Sequence, residues 1–183
     1  MDTRKKIYYF DYFVSKIIFK CYNDNESSLK IIVRNNIEHC GLNKLKLLKL
    51  LFFVSAIKVD ERYLLDDVFD NFYAMPYGPV ESDIYDSLSE VPNYTIEKNR
   101  IALKTDAVLD YPNDDPICNR IEKCIDEVYN INPDLFLMAT FDLVELSHKA
   151  ESWKIVFTEA QRVGRCSLHM PNDVIKETAV YFK

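Results

Sequence analysis

Glycine is scarce: three in 183 residues, at 41, 78 and 164. A loop that cradles phosphate with backbone N–H groups needs several close together, so nucleotide-binding loops of that kind are excluded. Histidine is equally sparse, at 39, 148 and 169, and no pair has the helical or hairpin spacing of metal ligands. His39 and Cys40 are adjacent and diverge on a helix, so no metal is expected. The five cysteines, at 21, 40, 118, 124 and 166, include no Cys-x-x-Cys and are odd in number. That pattern reads as reduced thiols and a cytoplasmic location rather than a disulfide framework. No apolar run approaches the ~18 residues of a membrane span, and the N-terminus lacks a small-residue cleavage site, so no membrane association is expected. With 29 acidic residues, neighbouring carboxylates arise by chance. Neither a cofactor nor an enzyme activity is expected, because no convergent site is readable.

What the chain does have is apolar and aromatic mass: 48% hydrophobic residues and 13% aromatic. Its length suits one domain with a substantial core. The net charge of −6 is uneven: residues 1–58 carry +6 and residues 59–183 carry −12. An acidic body favours a basic partner and disfavours broad contact with nucleic acid.

Apolar spacing predicts a helix over 3–22 through Ile7, Phe10, Val14, Ile17, Ile18 and Cys21. Tyr8, Tyr9, Tyr12 and Phe13 widen its apolar surface beyond one stripe. Such a helix is either sandwiched or exposes an adhesive face, and these four are the candidate partner-binding residues. A second helix is expected from Ser27 or Ser28 to Gly41. A third opens at Asn43 and is apolar all round from Leu50 through Phe53 to Val54, hence central and buried. Its lysines, 44, 46, 49 and 58, are expected toward the ends with their stems reaching water.

Met75-Pro76-Tyr77-Gly78-Pro79-Val80 holds one of the three glycines between two of the seven prolines. Each proline fixes its own φ and restricts the residue before it, while Gly78 can take angles closed to other residues. A sharp corner is expected, entered from a strand at 72–75 and left on a helix through Val80, Ile84 and Leu88. Residues 94–98 and 101–104 read as a hairpin, with the 72–75 strand a candidate third member. Further helices are expected from Asp115-Pro116, from Asn132-Pro133, from Thr140 to Lys149, and from Asn172 to Tyr181. His148 and Trp153 straddle a helix end. They read either as a partner anchor or as a buried Trp with His148 bonded to a carbonyl. The fold class is mainly α (α+β): a single-domain helical bundle with a small antiparallel sheet or hairpin.

Three segments occur in order: Leu45-x-Leu47-Leu48-Lys49-Leu50-Leu51-Phe52-Phe53; Pro76-Tyr77-Gly78-Pro79-Val80 with Tyr85; and Leu143-Val144-Glu145-Leu146-Ser147-His148-Lys149 with Trp153. Together they resemble the Panacea, or SocA-like, antitoxin domain over roughly residues 28–160. The family usually has Gln where this chain has Leu48. The resemblance implies residues 27–183 as the shared domain and 1–26 as an additional N-terminal helix. It implies a bacterial or phage type II antitoxin that neutralises a cognate protein toxin by direct contact, with the motif residues as scaffold and no catalytic residue carried over. A second copy of the chain is a further candidate partner. Delivery of the partner to a protease, and autorepression of transcription, are the alternative functions.

Overall fold

The computed structural model describes residues 1–22, 41–177 and 182. Helix α1 (Thr3–Tyr22) is followed, after the second expected helix, which lies outside the described residues, by α2 (Lys44–Ser55). Asn43 starts α2 by accepting a hydrogen bond from the Lys46 N–H on its side-chain oxygen. Every α2 residue from Lys46 to Ser55 is buried, as the all-round apolar pattern requires, so α2 is the central rod. Phe52 meets Phe72 edge-on at 5.5 Å and Phe53 meets Phe182 at 5.2 Å. Two of the lysines do not reach water as expected. Lys46 and Lys49 are buried, because neighbouring elements cover α2 on all sides.

Strands β1 (Lys58–Val59) and β2 (Arg62–Tyr63) form a two-residue hairpin whose turn residues, Asp60 and Glu61, both have positive φ. After the short α3 (Leu64–Asp67) comes β3 (Phe72–Met75), which pairs antiparallel with β4 (Gly78–Glu81) on one side and β7 (Leu168–His169) on the other. The corner is therefore the turn of a hairpin, not a strand-to-helix junction. Val80 pairs with Tyr73, and the helix begins only at Ser82. Pro79 is compatible with this because β4 is an edge strand, where a missing N–H is tolerated. Helix α4 (Ser82–Asp86) takes Glu81 as its cap, through the hydrogen bond from Ile84 N–H.

β5 (Tyr94–Ile96) and β6 (Ile101–Leu103) form the expected hairpin, but β3 does not join it. Helix α5 (Pro116–Ile131) starts where Asp115 accepts from the Ile117 and Cys118 N–H groups and Pro116 occupies the first turn. Its buried stripe is Cys118, Ile121, Cys124, Ile125 and Val128. A single 3-10 turn at Pro133–Phe136 leads to α6 (Thr140–His148). Helix α7 (Glu151–Arg162) then runs where sequence spacing suggested no separate element. Helix α8 (Asn172–Glu177) covers the described part of the last expected helix.

The result is mainly helical with small antiparallel sheets. Helix α1 belongs to the same core as the rest: Phe10, Phe13, Val14, Ile17 and Ile18 are fully enclosed, and α1 packs against α5 and α4. No helix among the described residues is long and apolar enough to cross a membrane.

Candidate functional site

The three sequence motifs converge on the corner. Gly78 has φ +90°, a conformation costly for any L side chain. A Cβ placed there would stand 2.2 Å from Ser147 Oγ of α6 and 3.1 Å from Lys49 Nζ of α2. The site thus demands glycine twice over, for backbone angle and for space. Lys49 donates to the Pro79 carbonyl at 2.6 Å, and Ser147 Oγ donates to Val144 O at 2.7 Å. Among the described residues no carboxylate pairs with Lys49. Burial lowers its pKa from 10.5 to about 7.

The other side of the corner is aromatic. Trp153 Nε1 donates to the Met75 carbonyl at 3.0 Å, and the Trp153 ring stacks with His148 at 4.1 Å and with Phe157 at 4.8 Å. Desolvation pulls the His148 pKa below its ordinary value, with the Lys49 charge adding to the effect. The charge of Glu145 and the nearby Pro76 carbonyl oppose it. Trp153 is half-buried and bonded to backbone, in keeping with the structural reading of the pair, but His148 makes no side-chain hydrogen bond to a carbonyl, and its buried Nε2 has no partner among the described residues. Of the remaining scaffold candidates, Leu50 and Phe53 lie in the core, and Val80 and Pro79 are buried in β4. Pro76 and Tyr77 are exposed in the turn. Tyr85 is partly exposed, with Lys44 Nζ 3.6 Å above its ring.

A second polar group lies between α1 and the hairpin. Lys6, 1% exposed, extends its ammonium to Asp70 (2.5 Å), Glu81 (2.8 Å) and Asp83 (2.5 Å). These carboxylates are the group among the described residues close enough to share a metal ion, and Lys6 holds the place of the cation. The three acids raise the Lys6 pKa above its ordinary value, against the desolvation that would lower it. Further along α1, buried Asp11 accepts from Asn93 N (2.9 Å), Asn93 Nδ2 (2.6 Å) and the Tyr111 hydroxyl (2.6 Å).

The aromatic face proposed for a partner is corrected in part. Phe13 is fully buried and Tyr12 is 5% exposed, its hydroxyl donating to Glu122. Tyr111 meets the Tyr12 ring edge-on at 4.9 Å. The excess over one stripe exists because α1 is sandwiched, with α5 and Tyr111 taking the flank. Tyr8 and Tyr9 are half-buried, and Tyr9 donates to Asp115 at 3.2 Å.

Sequence reasoning missed Lys49, Ser147, Lys6 and Asp11. The available signal was a charge inside an otherwise apolar helical face, as with Lys49 between Leu48 and Leu50. In an enclosed helix such a residue needs an internal partner.

The family model described as antitoxin SocA-like, Panacea domain, matches residues 47–154, well over half of the chain. The chain belongs to that family. The matched span runs from α2 through the corner to Trp153, so it includes Lys49, Gly78, Ser147 and His148. The Panacea match begins after α1, although α1 completes the core and supplies Lys6. Comparison with curated proteins and with solved structures gave no match.

Proposed function

We propose that the protein is the antitoxin of a bacterial or phage type II toxin–antitoxin pair and neutralises its protein toxin by direct binding. The observation that carries this reading is the family match over 47–154, with its three motifs converging on one corner. The polar groups at that corner are engaged in holding backbone: Lys49 on Pro79, Trp153 on Met75, Ser147 on Val144. The motif residues therefore serve as scaffold, and partner choice belongs to the exterior. The half-buried edges of Tyr8 and Tyr9 are the part of the α1 candidates still open to such contact.

Co-expression with the neighbouring gene tests the proposal. That product is expected to arrest growth alone and to become harmless when this chain is present. A product harmless by itself, or equally toxic with both chains, refutes the reading. If the partner's half-life falls in step with its activity, the protein acts as a proteolytic adaptor instead.

A further inference from the structure

Leu137 and Phe141, 70% and 68% exposed, stand at the entrance to α6. Phe141, Glu145 and His148 follow at i, i+4 and i+7, which places them on one outward stripe. The 4.0 Å approach of Glu145 Oε1 to His148 Nδ1 agrees with that placement. At the far end His148 stacks on Trp153, itself bonded to Met75 O, and Tyr77 is 60% exposed two residues beyond Met75. A strip thus runs along α6, about 10 Å from Phe141 to His148 at 1.5 Å per residue and on to the corner, with aromatic groups at both ends and the exposed Glu145 carboxylate between them.

Its border is negative. From Cys124 to His148 the chain has five acidic residues and no Lys or Arg. One of the five, Asp126, is matched by Lys20, and Glu127 lies on α5 away from the strip, which leaves Asp134, Asp142 and Glu145 beside it. Asp134 and Asp142 join no ion pair among the described residues. The partner of Glu145 there is His148, whose charged form desolvation disfavours. Exposed apolar side chains bordered by uncompensated acids are complementary to a segment that carries apolar residues flanked by Lys or Arg.

We propose that the α6 strip is the docking surface for a basic, amphipathic segment of the toxin. The proposal rests on the antitoxin reading and adds the surface and the partner's chemistry to it. The probe is the purified product of the neighbouring gene, titrated calorimetrically into the full chain at low and moderate salt. Leu137→Ser with Phe141→Ser is expected to weaken binding at least about tenfold, as loss of apolar anchors does. Asp134→Asn, Asp142→Asn and Glu145→Gln together are expected to weaken it at low salt and to flatten the salt dependence. Val108→Ser, at another exposed apolar position, is the control and is expected to bind like wild type. Thermal melts confirm that each variant is folded. Wild-type binding that none of the α6 variants changes overturns this surface and leaves the antitoxin reading standing. A wild-type chain that neither binds nor neutralises the product overturns both. Self-association abolished by Phe141→Ser assigns the strip to a second copy and overturns the toxin assignment.

Discussion

Lys49→Met is expected to stabilise the protein at neutral pH, although it removes a hydrogen bond and a residue at the convergence of three motifs. The Lys49 ammonium is fully buried, bonded to the Pro79 carbonyl, and paired with no carboxylate among the described residues. A pKa moved from 10.5 to about 7 places a penalty of roughly 5 kcal/mol on the charged form. Met fills a similar volume without that penalty. It also loses the bond to Pro79, a cost of about 1–3 kcal/mol. The difference favours Met by about 2 kcal/mol near pH 7. The pH dependence is the sharper test. Because the folded pKa lies below the unfolded one, the unfolded chain binds a proton that the folded chain does not, so wild-type stability rises with pH. Between about pH 7 and about pH 8.5 this group adds about 1.5 kcal/mol. Above that window the buried thiols Cys118 and Cys124, both pushed up to about 12 from 9, act oppositely as the unfolded thiols ionise. Urea denaturation of both proteins across the window measures the effect. Wild type should gain stability and Lys49→Met should stay nearly flat, so that the two converge. Parallel slopes, with the variant less stable throughout, would refute the assignment of a desolvated amine that no carboxylate offsets.

Two further substitutions probe the packing. Gly78→Ala is expected to cost about 3 kcal/mol or more, from positive φ and from contact with Ser147 Oγ. In a Ser147→Ala background the added cost should fall to about 1–2 kcal/mol, because the Oγ contact is gone while the backbone strain and the looser contact with the flexible Lys49 end remain; equal costs in both backgrounds would show that the Oγ contact relaxes freely. Lys6→Met leaves Asp70, Glu81 and Asp83 converging without their cation, with Glu81 fully enclosed, and is expected to lower stability by about 3–5 kcal/mol. A melting temperature within error of wild type would show that the carboxylates spread into solvent or take up protons at little cost.

Much of this architecture was legible before any coordinates. The rod α2 followed from an apolar run too broad for one face, and α5 from a clean stripe behind Asp115-Pro116. The corner itself was legible from Gly78 between two prolines, but its exit was not. Val80, Ile84 and Leu88 have helical spacing and are all buried, yet Val80 belongs to a strand and Ile84 to a helix. A short strand running directly into a helix mimics a single longer helix in spacing. Helix α7 was hidden for a different reason, since no Ser, Thr, Asp or Asn marks its start: its cap position is Ala150, with no side-chain bond. The buried charges escaped because sequence reports a lysine's identity and not whether neighbouring elements close over it. Tyr12 and Phe13 illustrate the same limit, since breadth of apolar surface does not distinguish a second packing neighbour from an exposed face.

On the proposed docking surface, the two faces of α6 separate fold from recognition. Leu143, Val144 and Ser147 point inward and build the scaffold, with Ser147 setting the space at Gly78. Phe141, Asp142 and Glu145 point outward and carry none of that packing. Residues on the outer face can therefore change without disturbing the corner, whereas Ser147 on the inner face is tied to Gly78, its Oγ 2.2 Å from where a Cβ would stand. A fold whose constraints converge on a single turn leaves such a helix surface free to vary with the partner. On this argument, exchanging outer α6 residues between two members of the family should transfer partner preference while leaving the thermal melt of each chain within a few degrees of its own wild type.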